Sequence, residues 1–525
     1  MNLLKYLPLI ALFCLASLAY GQKTSLPGLQ SYSSNSLSPI YEKNEVKGYM
    51  LYYRSDKADR KNDNYVIEVL DENLNKVKSI TMQKPRRTYF LLKNAFNGSA
   101  FCFYFYNYRA KKLEMETYDQ GLNKLASVEI DNVSRADRAI IEQQLKTKTE
   151  GNKNMTGGIN LFAVPGQGFI RNTYIGMGKS YSLTMYDNNL KPVWTVSGKK
   201  SKDYETLALS EVNNKYAMGT IIRRPGLFST KFSASIAAFD ITTGRMVLDA
   251  PIETNDEEQL SLSMINYDAQ RDEFLVVGEF YHLDDKPFVN KSLGLFIKKL
   301  SPQGQALSST FYRWDQEVKA MLPPAALQSV EDKYINYIHQ IEQDAEGNMH
   351  LIAEQYKIVV SGAGVAMKLL GGNASAMKGK VANLLVYTLS PAGELTDIHF
   401  YEKGETNVAL RPGSGIYGAG LLGHMINGDG YFDYKFTQKN NSQTNFDIAY
   451  LDYDKKAKEV ALVDVMIDPA QHFTTDRVDV TSSRSEKVYV YPAKVGYNMV
   501  VEFDIKEKLL DMRLVKLNKS RLSAN

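Results

Sequence analysis

The sequence predicts an all-β repeat protein, and two observations indicate this fold class. The first is a hairpin pattern in which an alternating apolar run ends in Asp or Ser, a short turn follows, and a second alternating run begins. Its clearest copy is YSLTMYDNNLKPVWTV at residues 181–196. The second is composition, because 34 Tyr and 22 Phe accompany only 2 Trp. Aromatic side chains favour half-buried strands.

Eight copies of this hairpin occur along the chain. Their turn residues are Asp71, Asp119, Asp187, Asp240, Ser301, Ser390, Asp452 and Asp504. Two further strands precede each hairpin, as at residues 88–93 and 100–108 before the second copy. Four antiparallel strands in each repeat are the sequence pattern of a β-propeller.

Residues 38–518 therefore resemble the β-propeller superfamily in strand pattern and hairpin turns. Neither the WD dipeptide, nor the kelch double glycine, nor an Asp-box recurs from repeat to repeat, so none of these motifs indicates a subfamily. The resemblance implies blades around a central channel, with ligands usually taken at one end. We predict a single closed propeller of eight four-stranded blades; the alternative is seven blades, with the irregular first hairpin completing another sheet. Propellers serve as enzymes, lectins and scaffolds, so this fold does not select a function.

The N-terminus has the features of a cleaved signal peptide. Lys5 supplies a positive charge, residues 7–20 are uncharged and mostly apolar, and Ala19 and Gly21 are small residues before a cut at Gln22. We predict that residues 1–21 are removed and that the protein is exported to the periplasm, the cell surface or the medium. The mature chain is predicted to have no transmembrane segment.

The remaining boundaries follow from composition. Residues 22–37 are rich in Ser, Asn, Gly and Pro and are predicted to be a loose lead-in, and residues 519–525 a tail. After removal of the leader, Cys102 is the only cysteine, so no internal disulfide is possible and the core must stabilise the fold. The net charge of +4 does not indicate nucleic-acid binding, which requires a concentrated basic face.

The repeats are longer than the ~40–50 residues of usual propeller blades, and the extra length is not evenly placed. Tight turns join strand 1 to 2 and strand 3 to 4, whereas long segments such as 223–231, 282–291, 357–381 and 439–445 join strand 2 to 3. Long connections therefore emerge on one face, where we expect function. The apolar, glycine-rich insert at 357–381 is the predicted centre of this face, or alternatively a plug that folds back over the channel.

Two inserts are predicted to be helical and one short motif a turn. Residues 138–146 follow a start that resembles a capping box at Ser134, and residues 325–335 follow Pro323 and Pro324. We expect each helix to cover a sheet edge or a junction between blades. The motif at residues 427–430, Asn-Gly-Asp-Gly, is predicted to be a tight turn between strands at residues 418–426 and 431–438.

Polar residues in the long connections are the candidate ligand-binding groups. Arginine recognises carboxylates and phosphates, and a His with two Asp could perform acid–base chemistry. Such residues also occur simply as solvated surface groups. The candidates are Arg223, Arg224, His282, Asp284, Asp285, Arg411 and Tyr417.

No motif in the sequence indicates a metal or a cofactor. HExxH, Walker A, Gly-x-Ser-x-Gly, a complete dinucleotide fingerprint and an EF-hand are all missing. We therefore expect no metal site, no cofactor and a non-enzymatic binding or scaffold protein that recognises a protein or glycan. The alternative is a carbohydrate-active hydrolase or lyase with paired carboxylates at the channel mouth. The ligand and the oligomeric state stay open.

Overall fold

The structure is a computed structural model that describes residues 22–86, 88–130, 133, 138, 141–142, 160–175, 179–198, 203–226, 233–252, 258–285, 289–360, 377–410, 419–428, 430–482 and 488–517. Its strands form eight antiparallel sheets of four strands, the sixth with one additional strand. The prediction of an all-β, eight-bladed propeller is therefore confirmed. We number the sheets as blades 1 to 8.

Blades 1 to 3 follow the predicted order, in which four consecutive strands form each sheet. Blade 1 contains β2 (Leu37–Glu42), β3 (Glu45–Lys57), β4 (Asn62–Asp71) and β5 (Lys76–Pro85). Blade 2 contains β6 (Tyr89–Phe96), β7 (Ala100–Asn107), β8 (Lys112–Asp119) and β9 (Lys124–Ile130). Blade 3 contains β10 (Asn160–Val164), β11 (Gly168–Ile175), β12 (Ser180–Tyr186) and β13 (Pro192–Ser197).

Blades 4 to 6 have the same connectivity, and blade 6 carries the additional strand. Blade 4 contains β14 (Tyr204–Val212), β15 (Tyr216–Arg224), β16 (Ser233–Asp240) and β17 (Met246–Pro251). Blade 5 contains β18 (Glu258–Asp268), β19 (Glu273–His282), β20 (Gly294–Leu300) and β21 (Ala306–Arg313). Blade 6 contains β22 (Ile335–Gln343), β23 (Met349–Val360), β24 (Met377–Leu389), β25 (Leu395–Tyr401) and β26 (Thr406–Ala409), which pairs with β24.

Blades 7 and 8 differ from the predicted strand order. Blade 7 contains β27 (Tyr434–Lys439), β28 (Phe446–Asp454), β29 (Glu459–Ile467) and β30 (Phe473–Asp479). Blade 8 contains β31 (Val488–Pro492), β32 (Tyr497–Asp504), β33 (Leu509–Lys516) and, from the N-terminus, β1 (Lys23–Pro27). The hairpins at Asp452 and Asp504 therefore join strands 2 and 3, not 3 and 4, and the segment 439–445 joins strands 1 and 2.

The loose lead-in predicted for residues 22–37 is also wrong for its first part. Strand β1 pairs antiparallel with β33, from Lys23 opposite Arg513 to Pro27 opposite Leu509. Beyond this strand, Leu29 is fully buried with Met499 and Leu510 of blade 8. The polar composition of the segment hid the strand, since only one face of an outer strand needs apolar residues.

The tight turns share one stereochemical device. In the turns of blades 1 to 3 an Asp carboxylate accepts backbone N–H groups, as Asp119 does from Asn123 at 2.8 Å. Two residues before the second strand of the hairpin, the backbone is left-handed, with φ of 66°, 59° and 56° at Leu74, Leu122 and Leu190. In blades 5 and 6 the position is Gly304 or Gly393, for which this conformation has no steric cost. Hydrogen bonds from the turn backbone to an Asp or Ser side chain therefore explain why one of these residues recurs in the sequence pattern.

Two helices are described with their bounds. Helix α1 (Pro324–Glu331) has Pro at its first turn and confirms the helix predicted at 325–335, although it ends at Glu331 and β22 begins at Ile335. Its Ala326 and Val330 lie in an apolar cluster that includes side chains of blades 5 and 6, as expected for a helix that covers a junction. Helix α2 (Ala419–Gly428) replaces a predicted strand. Of the helix predicted at 138–146, only residues 138 and 141–142 are described, and they are helical.

The chain divides into two compact units. Unit 1 consists of Met1–Arg87, Lys435–Tyr450 and Glu459–Asn525, and unit 2 of Thr88–Tyr434 and Leu451–Lys458. Unit 1 contains blades 1 and 8 and most of blade 7, and unit 2 contains blades 2 to 6. Cys102 is buried in unit 2, where burial raises the pKa of its thiol, as expected for a packed strand residue. Among the described residues, no helix is long and apolar enough to cross a bilayer.

Candidate functional site

Five of the predicted ligand-binding residues are described. They lie at or just after the end of the second strand of blade 4 or of blade 5, in unit 2. Arg223 and Arg224 end β15 of blade 4, and His282 ends β19 of blade 5. Asp284 and Asp285 come after His282 and Leu283. All five therefore occupy strand 2-to-3 connections, as predicted. Arg411 and Tyr417 lie outside the described residues, and their roles stay predictions.

Arg223 is engaged by its own sheet. Its Nε donates to Glu205 at 3.0 Å, Nη2 to Asp249 at 2.8 Å and Nη1 to the hydroxyl of Ser235 at 2.5 Å. These partners come from β14, β17 and β16, so the guanidinium connects all four strands of blade 4. Because two carboxylates already neutralise it, the geometry favours a structural role over anion recognition.

The segment after β19 is a compact turn. The backbone N–H of Asp285 donates to the carbonyl of His282 at 3.0 Å, and Nε2 of Gln259 donates to the same carbonyl at 3.0 Å. The His282 and Asp284 side chains are exposed. This arrangement is that of a solvated turn whose backbone is fixed, with polar groups displayed to solvent.

The connection predicted as the centre of function is partly a strand extension. Beyond the end of the β22 pairing at Tyr356, β23 and β24 continue as a hairpin to Val360 opposite Met377. On the other side of β24, β26 pairs from Thr406 opposite Val381 to Ala409. We call the β-structure at 356–360, 377–381 and 406–409, with helix α2, the blade 6 extension. Residues 361–376 lie outside the described residues.

The blade 6 extension has its own apolar core. Tyr356, Val381 and Val408 of the strands are buried together with Leu422 and Ile426 of helix α2. The two helix residues are four apart and therefore lie on one face. This packing explains why residues 419–428 form a helix and not the predicted strand.

The motif at residues 427–430 ends that helix and is not a turn between strands. The N–H of Tyr431 donates to the carbonyl of Ile426 at 3.1 Å, and the N–H of Gly430 donates to that of Asn427 at 2.9 Å. Gly430 has a φ of 68°. These bonds form a Schellman motif, which requires a left-handed residue as a hairpin turn does. Glycine at this position therefore fits both structures.

A buried ionic network joins blade 6 to the chain that enters blade 7, within unit 2. The Glu354 carboxylate accepts from the backbone N–H groups of Asp433 and Tyr434, both at 3.1 Å, and lies 2.9 Å from Nζ of Lys403 and 3.1 Å from Nε2 of His339. Lys403 also contacts Asp433 at 2.6 Å. Burial opposes the charge on Glu354, but Lys403 and His339 outweigh it and lower its pKa to about 2.

The Glu354, Lys403 and His339 side chains of this network are almost completely enclosed. A carboxylate with four donors has its lone pairs satisfied. The arrangement therefore fits a structural ion pair, whose members were not distinguished by sequence because they lie far apart along the chain.

A second buried carboxylate lies between blades 5 and 6. Glu279 accepts from the backbone and side-chain amides of Asn336 at 2.9 and 2.7 Å and from the Tyr281 hydroxyl at 3.0 Å. Burial raises the pKa of Glu279 to about 7, against the opposing effect of these donors. Its side chain is enclosed, so it lies outside any open cleft.

Unit 1 contains a recess that the sequence did not indicate. It has a volume of about 250 Å³ and lies at the strand 1-to-2 turns of blades 7, 8 and 1, together with the β29–β30 turn. Four of its groups are side-chain amides: Asn44, Gln438, Asn440 and Asn445. The only sign of this recess in the sequence is the group of Asn residues at 440, 441 and 445. The strand pattern placed them in a strand 2-to-3 connection, not in the strand 1-to-2 turn where they lie.

These sheets and their connectivity define an eight-bladed, all-β propeller. The chain belongs to the family of unknown function DUF6770, whose family model matches residues 1–518. No curated protein matches it in sequence.

Several solved structures are similar in fold at low identity. The WD40 domain of SCAP from fission yeast is 8% identical, with 94% of this chain and 98% of that chain covered and a TM-score of 0.39. Prolyl oligopeptidase B from Galerina marginata is 10% identical, with 90% and 56% covered and a TM-score of 0.38. A DUF4221 family member from Bacteroides vulgatus is 11% identical, with 88% and 98% covered and a TM-score of 0.28. None of these similarities indicates a ligand or an activity for this chain.

Proposed function

We propose that this chain is an exported binding protein that recognises a protein or glycan partner through the blade 6 extension. The observation that carries the proposal is the extension itself. Strands β23 and β24 continue past β22, gain β26 as a partner and bury a separate core under helix α2. A four-stranded blade does not need this additional structure, and ordered elaboration on a rigid scaffold is typical of binding sites.

The surface of the extension offers both apolar and charged contacts. Val360 at the end of β23 is 74% exposed. Nearby along the same hairpin, Lys357 lies over the Tyr334 ring at 4.1 Å and Lys380 pairs with Glu405 at 2.7 Å. An exposed apolar residue among fixed charges resembles the core-and-rim composition of protein interfaces.

The hydrolase alternative is less well supported. Glycoside hydrolysis requires two carboxyl groups about 5–10 Å apart on either side of an open cleft. Burial raises the pKa of both Glu279 and Asp464, as expected for a general acid, but each is 1% exposed and hydrogen-bonded inside the protein. Binding without chemistry accounts for the described residues with fewer assumptions.

Export through a signal peptide is the second part of the proposal. A cut before Gln22 would leave β1 complete, since this strand begins at Lys23. The carbonyl of Gln22 accepts from the N–H of Leu514 at 2.8 Å, so the proposed mature N-terminus is itself bound to blade 8. Mass spectrometry of exported protein should find Gln22 first, and material that begins at Met1 would contradict export by cleavage.

Partner recovery tests the role of the extension. In one variant a short Gly-Ser linker replaces residues 361–376, which leaves β23 and β24 intact, and in a second Val360→Asp adds a charge. We expect both variants to lose recovery of cell-envelope proteins or glycan-array signal at unchanged thermal stability. Leu307→Asp is the matched control, because Leu307 is another exposed apolar strand residue, on β21. Equal recovery from all three variants and the wild type would refute the proposal.

A further inference from the structure

We propose that the recess in unit 1 binds a small neutral polyhydroxy ligand of about monosaccharide size. The site is formed by the strand 1-to-2 turns of blades 7, 8 and 1, which include residues 439–445, and by the β29–β30 turn. It uses residues other than those of the blade 6 extension and does not depend on the function proposed above.

Two of the four charged lining residues, Glu45 and Asp468, already accept hydrogen bonds from the protein. Glu45 pairs with Lys47 at 3.1 Å and accepts the backbone N–H of Asn441 at 3.3 Å. Asp468 accepts the backbone N–H of His472 at 2.9 Å and also contacts its ring. The other two charged lining residues, Lys439 and Asp447, are of opposite sign. An anionic ligand would meet three carboxylates and one ammonium group, and a cationic ligand would compete with the donors that already bind Glu45 and Asp468, whereas a neutral polyhydroxy ligand can bind the amides without either cost.

Two side-chain amides remain available to a ligand. Asn44 in the β2–β3 turn and Asn445 before β28 both line the recess. Within the described part of the chain, neither side-chain amide takes part in a hydrogen bond. Each offers two N–H donors and a carbonyl acceptor. Vicinal hydroxyl groups both donate and accept, so they match such amides better than a carboxylate or an ammonium ligand would.

Gln438 forms the polar floor of the recess, and hydrogen bonds hold it in place. Gln438 is buried; its Oε1 accepts the N–H of Ala493 at 3.2 Å, and its Nε2 donates to Asp447 at 3.3 Å and to the carbonyl of Tyr497 at 3.4 Å. The amide therefore fixes the orientation of the Asp447 carboxylate beside the recess. A preorganised floor lowers the entropic cost of ligand binding.

An apolar wall completes the match to a sugar ring. Met466 and Ile467 at the end of β29 and Val495 in the β31–β32 turn line the recess. Sugars carry C–H groups between their hydroxyls, so a wall of this kind can contact the ring while the amides bind its rim. The volume of about 250 Å³ lies below the ~300–1,000 Å³ of pockets for drug-sized ligands, which favours a single ring.

Saturation-transfer NMR tests the proposal with D-glucose and N-acetyl-D-glucosamine as neutral probes and L-arginine as a cationic one. We expect saturation transfer to a sugar with the wild-type chain and none with Val495→Trp, which fills the recess from an exposed position. Asn44→Ala should weaken sugar binding roughly tenfold, the effect of one lost hydrogen bond.

Ile505→Trp is the matched control, because Ile505 is a more exposed apolar turn residue of the same blade and does not line the recess. It should bind as the wild type does, and thermal unfolding of every variant identifies any that fails to fold. Sugar binding that Val495→Trp leaves unchanged would overturn the proposal. Transfer to L-arginine alone, or to no probe, would overturn it as well.

Discussion

The backbone N–H of Lys191 donates to Oδ1 of Asp187 at 2.8 Å and closes the hairpin between β12 and β13 around Leu190. Leu190 has a φ of 56°, yet its side chain is only 4% exposed. It packs with Cys102 and Met115 of blade 2, so a strained turn residue of blade 3 fills the core that this blade shares with the preceding one. A left-handed backbone costs a non-glycine residue roughly 1–2 kcal/mol. The packing of the large Leu190 side chain offsets this conformational cost.

Leu190 should therefore show an unusual order of variant stability. Leu190→Ala removes packing and keeps the backbone strain, and we expect it to lower the free energy of unfolding by about 2–4 kcal/mol. Leu190→Gly removes more side chain but relieves the strain, so it should be the more stable variant by about 1 kcal/mol. Denaturant unfolding measures both. An alanine variant that equals or exceeds the glycine variant would show that the turn strain is not significant.

Glu279 should make stability fall as pH rises. Its pKa is raised from 4.5 to about 7 in the folded protein, so between these values the folded state holds a proton that the unfolded state has lost. The resulting stabilisation is complete below about pH 4.5 and is lost as pH rises through about 7, a change of up to about 3 kcal/mol.

Glu279→Gln mimics the protonated carboxyl and should remove this pH dependence. Urea unfolding at pH 5, 6, 7 and 8 gives the comparison. The control is Glu205→Gln, since Glu205 is a buried acid of unit 2 that is paired with Arg223. A wild-type profile with the same slope as that of Glu279→Gln would contradict a raised pKa.

Removal of one member of the blade 6 ionic network should be costly. Lys403→Met leaves the buried Glu354 carboxylate without its cation, and we expect a loss of about 3–5 kcal/mol. Glu354→Gln added to this variant removes the uncompensated charge and should recover part of that loss. Thermal unfolding of the single and double variants measures the coupling; additive losses would show that the two groups do not act as a pair.

The N-terminal strand should be required for a stable blade 8. A chain that begins at Gln30 lacks β1 and Leu29, which leaves β33 as an unpaired edge. We expect a lower unfolding temperature and a tendency to aggregate, because unpaired edges template association. A chain that begins at Gln22 is the control and should behave as the mature protein. Equal unfolding temperatures would show that β1 contributes little.

The turn at Asp187 also shows why local sequence predicted so much of the fold. Asp or Ser caps, alternating apolar runs and the number of repeats are properties of short segments, and they predicted the strands and connectivity of blades 1 to 6. In blades 7 and 8 the same Asp-capped turns occur between strands 2 and 3, so the sequence pattern assigned these hairpins to strands 3 and 4 incorrectly. Asp454 and Asp504 accept backbone N–H groups in strand 2-to-3 turns, ahead of Lys458 and Lys508 with φ of 57° and 54°.

The candidate sites depended on contacts that the sequence pattern does not contain. Placement of Arg223 and His282 in strand 2-to-3 connections followed from strand counting, but the use of Arg223 by Glu205 and Asp249 did not. The recess was missed because its turns come from three blades.

The sequence by itself determined the all-β class, the hairpin turns and the count of eight repeats, because strand alternation and Asx turns are encoded within a few residues. Tertiary structure alone decided that β1 completes blade 8, that residues 419–428 are helical over the blade 6 extension, and that Lys403 reaches Glu354. In each case the deciding free energy comes from burial or pairing with residues distant in the chain, so no local pattern could predict it.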